Sequence, residues 1–358
     1  MKVALIGLNE EFNNIGSSGI RRQMHELYSN ISDIKGIKID KIDISIPKTK
    51  SFSLTNFYFL QKTLFLDFGD YDIVHHINSK PIISLNKKKA KLLSTVHELP
   101  ELMNYENLNK VLLTTRNEKI VNLIQKFSYK TILNSSDYII AVSTQTKEEA
   151  VKLGYPKNNI FIVHPGINDR FKIPKKHNKS SKQFVVGYLG EMRKRKNVQF
   201  AINAFKKIRY PNMKFMIYGN KTGEYENLLE LSKGDNRIRF MGFAPNDKLI
   251  EIYDSFDVAV HTALYGGFEL EIFEEQARGL PVIVPKSSMI PKEVIRYCFK
   301  AEDEEHMAEI INNIRENGYN KKKRKKATEY ARSFTWKKCA QETFKVYQRI
   351  IDYSNPKK

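Results

Sequence analysis

The chain has 358 residues, 41% of them hydrophobic and 28% charged, and a formal net charge of +20. That length exceeds what a single hydrophobic core serves and predicts two domains, each able to bury a core of its own. The composition excludes a disordered chain, and no run approaches the ~20 apolar residues that a membrane-crossing helix needs. The opening KVALIG is too short for a signal peptide before Asn9, Glu10 and Glu11 interrupt it, so a cytoplasmic protein is expected. Cys298 and Cys339 lack the spacing of a metal site or disulfide framework and read as packed or incidental thiols. The positive charge asks for an anionic partner: nucleic acid, an acidic membrane surface or a phosphorylated small molecule. Charge alone does not choose among them, and heavy use of Lys, Ile and Asn is equally consistent with genome composition.

In chain order, Lys2 to Gly7 predicts a strand, followed by a polar loop with Gly16 and Gly19 and a helix through Ile20, Met24, Leu27 and Ile31. Further strands are expected at Asp72 to His76, Lys91 to His97, Tyr138 to Ser143 and Ile160 to His164, with one long helix over Asn109 to Leu133. Residues 173–183 are polar, cationic and without apolar periodicity, and predict a linker. The pattern then restarts. Strands are expected at Phe184 to Leu189, Lys214 to Tyr218, Ile238 to Phe240, Val258 to His261 and Val282 to Val284. Helices are expected at Val198 to Ile208, Tyr225 to Ser232, Lys248 to Phe256 and Glu274 to Arg278. Met307 to Ile351 reads as a long helical segment with Trp336 inside it, and Lys321 to Lys326 as a solvated charge run.

Strands alternating with helices at this spacing predict parallel sheets joined by right-handed crossovers, one per half. The expected fold class is α/β, with two doubly wound Rossmann-like domains facing across a cleft. The N-terminal domain is placed at 1–172 and the C-terminal domain at 184–339, with a final helix near 340–358 packing back on the first domain. Ligands in such sheets bind at the carboxyl ends of the strands.

In the C-terminal half IRFMGFAP (238–245), LIEIYDSFDVAV (249–260), Tyr265 to Pro281 and Phe334-Thr335-Trp336 follow one another. The N-terminal half adds Gly16 to Gly19, YDIVH (71–75), Thr95-Val96-His97-Glu98, DYIIAVS (137–143), Thr146 and VHPGIN (163–168). In this order the segments resemble retaining glycosyltransferases of the family-4 (group 1) type, whose fold is called GT-B. Within Tyr265 to Pro281 the chain departs from the family, which opens this motif with Glu-Gly-Phe-Gly-Leu; here Gly266 stands at the first Glu.

The resemblance implies transfer of a hexose from a UDP- or GDP-sugar to a hydroxyl of a glycan or lipid-linked acceptor, with retention. The leaving phosphate would act as base, with no metal and no cofactor beyond the donor substrate. Charge developing on the departing diphosphate calls for cations and oriented amides. Lys196 matches the family's lysine, and Arg193 or Arg195 would fill the place of its missing arginine partner. Glu191 stands where the family has that arginine, and a carboxylate there would repel a diphosphate.

Glu274 matches the carboxylate implied to hold the ribose hydroxyls. With Gly266 lacking a side chain, Glu269 and Glu271 become the candidates for sugar contact. Gly267, Phe268 and Leu270 would present amides to the distal phosphate. Gly16, Gly19, Gly190, Gly219 and Phe243 complete the donor-binding candidates. His97 matches a histidine implied to orient hydroxyls near the reacting sugar, while His75, His76 and His164 read as structural.

Asn109 to Leu133 mixes Lys110, Arg116, Lys119, Lys126 and Lys130 with apolar residues. It suits an anionic membrane surface, although a core face with solvated lysines accounts for it equally. The alternative function is a catalytically weak binding or scaffold subunit, to which Gly266 and Glu191 point. A nucleic-acid-binding protein is more remote and rests on charge alone, since no RNP, zinc-finger or helix-turn-helix signature occurs and no nucleic-acid partner is expected.

Overall fold

The computed structural model describes residues 1–8, 12, 19–46, 52–77, 82–86, 88–103, 105–173 and 183–354. The chain forms two compact units, one of Met1–Gly166 with Thr335–Lys358, the other Ile167–Phe334. Residues 167–172, expected in the first domain, thus belong to the second, whereas 335–339, expected in the second, belong to the first. Gly166 marks the change: a Cβ there would lie 2.2 Å from the Thr335 carbonyl carbon and the Trp336 nitrogen, so only glycine permits this backbone approach. Residues 174–182 of the expected linker lie outside the described residues.

Among its described residues the first unit contains six parallel strands: β1 (Lys2–Leu8), β2 (Lys38–Ile44), β3 (Ile73–His76), β4 (Lys91–Val96), β5 (Tyr138–Ala141) and β6 (Ile160–Ile162). Their order is β2-β1-β3-β4-β5-β6. Val3 to Ile6 of β1 are fully buried, as expected of strands covered on both faces, which read as continuous apolar runs. The helices are α1 (Gly19–Ile31), α2 (Phe52–Leu64), α3 (Pro100–Met103), α4 (Glu106–Leu112), α5 (Arg116–Ser135) and α6 (Thr144–Lys152).

The single helix expected over Asn109 to Leu133 is two helices: the first leaves helical geometry at Leu113, and Thr115 caps the next. Its hydroxyl accepts from the Glu118 amide at 3.2 Å and its own amide donates to Glu118 at 2.7 Å, a reciprocal capping box. Strand β2 and helix α2 fall outside the expected elements. In β2 the sequence KIDKIDI alternates charge with isoleucine at the sheet edge, where few side chains are buried.

The second unit repeats the architecture with β7 (Phe184–Leu189), β8 (Met213–Tyr218), β9 (Ile238–Gly242), β10 (Val258–Val260), β11 (Val282–Pro285) and β12 (Phe299–Ala301). The order is β12-β11-β10-β7-β8-β9, all parallel. Its helices are α7 (Val198–Lys206), α8 (Tyr225–Leu231), α9 (Leu249–Ser255), α10 (Leu270–Ala277), α11 (Glu304–Asn317) and α12 (Lys321–Arg332), and α13 (Trp336–Ser354) returns to the first unit and packs on α1.

The helical segment expected over Met307 to Ile351 is therefore three helices. Gly318, at φ 73°, ends α11, and the Asn320 side chain caps α12. The charge run Lys321 to Lys326 opens α12, and Trp336 opens α13 rather than lying inside a helix. Helix α10 begins at Leu270, a turn before the expected Glu274.

Strand order in the second unit reverses between β7 and β10, which are hydrogen-bonded neighbours. The loops leaving their carboxyl ends, 190–197 and 261–269, are thus forced side by side, at the place where open α/β sheets bind ligands.

Candidate functional site

The loop after β7 is anchored by Met192, fully buried in the core of the second unit. The 3-10 turn Lys194–Lys196 follows, and Asn197 at φ 46° turns the chain into α7; Asn is among the few side chains that tolerate this conformation. The loop after β10 is stitched to this turn. The Leu264 amide donates to the Arg195 carbonyl at 2.8 Å, the Thr262 hydroxyl to the Lys196 carbonyl at 2.9 Å, and Arg195 Nη1 to the Tyr265 carbonyl at 2.9 Å. Lys196 Nζ meets Glu269 Oε2 at 2.5 Å, and Arg195 Nη1 lies 3.9 Å from Glu269 Oε1.

Glu269 is only 6% exposed. Burial pushes its carboxyl up, but Lys196 and Arg195 outweigh that and hold it well below the ordinary carboxylate range. The turn is therefore an anion site, and the anion on it is the protein's own. Gly266 lies against the same carboxylate: a Cβ there would be 2.3 Å from Glu269 Oε1.

Glu274, one turn into α10, is buried and accepts from the Tyr253 hydroxyl at 2.8 Å. Burial, with Glu274 and Glu275 beside it, pushes the Tyr253 phenol up, so it stays a donor. The expectation that Glu274 sits at a helix N-terminus is corrected by the earlier start of α10. Next to it, Glu275 Oε2 faces His261 Nε2 at 3.0 Å, a buried pair beneath the loop. Burial opposes the charge on His261, but Glu275 outweighs it and raises its pKa.

Other sequence-predicted residues stand apart from this cluster. Arg193 pairs with Glu191, Nε to Oε2 3.1 Å, with both side chains largely in solvent; Arg195 is the arginine that joins Lys196. The Glu191 carboxylate, expected to oppose a diphosphate, is turned to that pair. Gly219 is required by its own neighbour, since a Cβ there would lie 1.9 Å from the Gly190 carbonyl oxygen. Gly267 and Leu270 are buried, and Glu271 is half-buried in the first turn of α10.

Phe268 stacks on Phe273 at 4.9 Å, and Phe243 is exposed. Gly19 opens α1, and among the described residues no atom lies within 4 Å of a Cβ placed there. Gly16 lies outside the described residues. His97, in the first unit, places Nε2 2.9 Å from the Ile77 carbonyl oxygen. Sequence reasoning missed Tyr253, Thr262 and His261. Tyr253 lies within the LIEIYDSFDVAV segment (249–260), but nothing there singles it out, and the places of Thr262 and His261 are set by strand order and helix packing.

Two parallel sheets, one with an anion-holding crevice at its switch point, define a two-unit Rossmann-like α/β protein. The family model for group 1 glycosyl transferases matches residues 169–334, and that for glycosyltransferase family 4 matches 21–171. The chain belongs to this family, the group 1 or family-4-type glycosyltransferases.

Among relatives, O-antigen chain mannosyltransferase B of Escherichia coli is 23% identical over 239 residues, 61% of this chain and 62% of that protein. The match thus spans less than two thirds of that relative. Among solved structures, sucrose-phosphate synthase from Thermosynechococcus elongatus aligns with TM-score 0.74 and 19% identity over 99% of this chain and 100% of that one. HepE from Anabaena, in complex with UDP and glucose, aligns with TM-score 0.67 and 15% identity over 98% and 100%. These likenesses establish the GT-B class of fold.

Proposed function

We propose that the chain is a retaining glycosyltransferase that moves a hexose from a UDP- or GDP-sugar to a hydroxyl of a glycan or lipid-linked acceptor, without a metal. The observation that carries this reading is the anion site of Lys196 and Arg195 at the switch point of the second unit. In the reaction the bond from the sugar C1 to the diphosphate oxygen breaks, and a bond from C1 to the acceptor oxygen forms. The acceptor proton leaves on the departing diphosphate. Lys196, Arg195 and the amides at the start of α10 oppose the charge that grows on that leaving group. Glu274, oriented by Tyr253, is assigned to the ribose hydroxyls, and His97 to orienting the reacting hydroxyls. HepE, solved with UDP and glucose, and the E. coli mannosyltransferase support the substrate class.

The test is calorimetric titration with UDP, GDP and their hexose conjugates. Glu274→Gln keeps an acceptor for the Tyr253 hydroxyl and should fold normally. It should weaken nucleotide binding about tenfold or more, since a hydrogen bond to a charged group contributes about 1.5–3 kcal/mol. Unchanged affinity would remove the ribose role.

A lipid-linked acceptor places the work at a membrane surface, and α5 supports this. Ile120, Leu123 and Phe127 are exposed at 47%, 67% and 65%. At 100° per residue they fall on one face with Arg116, Lys119, Lys126 and Lys130. Among the described residues no helix is long and apolar enough to cross a membrane, so this face would lie on the surface. Co-sedimentation with vesicles rich in anionic lipid should fall severalfold in Leu123→Ser/Phe127→Ser and with added salt. Equal binding by that variant would exclude the face.

A further inference from the structure

We propose that His261 and Glu275, the buried pair beneath the loop after β10, are positioning residues that hold the two halves of the donor site at a fixed separation, and that the proton they share couples donor binding to pH. The inference rests on the donor-site reading above. Each member is the direct sequence neighbour of a residue that shapes the site. Thr262, next to His261, donates to the Lys196 carbonyl at 2.9 Å and so holds the cation assigned to the diphosphate. Glu274, next to Glu275, is the carboxylate assigned to the ribose. The 3.0 Å contact between His261 Nε2 and Glu275 Oε2 therefore ties the phosphate side of the site to its ribose side.

Packing alone does not call for charged groups here. His261 directly follows β10, its amide donating to the Ile283 carbonyl at 2.9 Å, and Glu275 is fully buried in α10. Beyond each other, neither His261 Nε2 nor the two Glu275 carboxylate oxygens have a hydrogen-bond partner among the described residues. Two apolar side chains of similar volume fill such a place without loss of stability, often with a gain. A charged pair held by one contact responds instead to a single proton.

The surroundings set the sense of that response. Burial disfavours the imidazolium, but Glu275, with Glu271 and Glu269 adding to it, outweighs burial and raises the His261 pKa above 6.5. Burial also raises the Glu275 carboxyl above 4.5 against the pull of His261, and Glu271 and Glu274 add to this. Tyr188 of β7 faces the His261 ring at 6.4 Å, while Tyr253 of α9 and Cys298 before β12 feel the Glu275 charge. Burial pushes all three above their ordinary values, so they stay neutral. Lys196 and Arg195 are turned to Glu269, and Arg332 of α12 to the Ala277 carbonyl. The pair thus holds one proton, and losing it leaves Glu275 a bare buried anion beside Glu271 and Glu274. Its contribution is complete below pH 6.5 and is lost as pH rises through the raised value.

The experiment is calorimetric titration of the full chain with UDP-glucose and GDP-mannose from about pH 6 to about pH 8.5, alongside Glu275→Gln and His261→Leu/Glu275→Leu. The diphosphate of a nucleotide sugar keeps its charge across that window, so a slope reports on the protein. Thermal unfolding checks that each variant is folded. Wild-type affinity should fall as pH rises above 6.5, by up to about tenfold per pH unit for one proton. Glu275→Gln keeps a polar partner for His261, the leucine pair keeps the packing, and both should lose this slope because no buried carboxylate is left to expose.

A flat wild-type profile, or equal slopes in all three proteins, overturns the inference, since a merely structural pair shifts stability with pH and leaves binding by the folded chain unaltered. So does failure of both variants to fold, which makes the pair structural. Binding of neither nucleotide sugar by the folded wild-type chain at any pH overturns the donor-site reading itself, and this inference with it.

Discussion

Two buried polar clusters, one in each unit, meet the same desolvation problem in opposite ways. In the first unit His75 is fully buried on β3, with Nδ1 2.6 Å from the Tyr347 hydroxyl of α13 and Nε2 2.8 Å from the Thr95 hydroxyl. Burial without a counter-ion pushes it down to about 3, so it is a neutral ring satisfied on both sides. In the second unit Glu269 is nearly as buried but stays charged, because two cations face it. The neutral cluster fastens a helix to a sheet. The charged one joins the loops after β7 and β10 through an ion pair, and the proposed function has a diphosphate compete for the same cations. Burial alone therefore does not separate the two; what differs is whether the buried group carries a charge matched by cations.

The largest effect that sharpens this contrast is expected in Lys196→Met. Loss of that cation should lower the transfer rate by about 10²–10³ at saturating donor, the scale of removing one group that opposes transition-state charge. The same variant leaves Glu269 buried with only the distant Arg195, costing about 3–5 kcal/mol of stability. Lys196→Met/Glu269→Gln should recover the melting temperature but not the rate. Recovery of both would make the pair merely structural.

A smaller effect, on stability alone, is expected from the first cluster. The folded pKa of His75 is depressed, so its contribution is complete above the unfolded value of 6.5. As pH falls below that, the unfolded chain takes up a proton that the folded chain refuses until about 3, so stability is lost through that window. The slope reaches about 1.4 kcal/mol per pH unit. Chemical denaturation of His75→Phe/Tyr347→Phe from pH 7 to 5 should show a flatter dependence than the wild type, with nucleotide binding unchanged. An unaltered slope would break the contrast from this side. The smallest effect is expected for Arg193→Ala. Its pair with Glu191 is largely in solvent, where such pairs contribute ~0–1 kcal/mol, so donor affinity should change by less than about threefold.

Much of the fold was legible because strands covered on both faces must be apolar throughout, as VALI in β1 and VIV in β11 are. Boundaries were less legible where a short polar signal competes with a long apolar period. The Thr115 to Glu118 capping box was present in the sequence, yet the helical pattern on either side of it suggested one helix. Edge strand β2 escaped because its alternation of charge and isoleucine resembles a solvated loop. Lys196, Glu269 and Glu274 were readable as candidates from their places in recurring motifs. That Arg195, rather than Arg193, turns inward was not, because four consecutive basic residues look alike until a backbone turn orients them.

By itself the sequence determined the alternation of strands and helices and the two-unit organisation, because these follow from local hydrophobic period, while the residues proposed to meet a nucleotide sugar rested on a family resemblance. Only the tertiary structure decided which of them meet. The reversal of strand order between β7 and β10 brings a cation at 196 within 2.5 Å of a carboxylate 73 positions away. It also leaves at Gly266 a space that another residue's side chain fills, and no pattern along a chain encodes the distance between two loops.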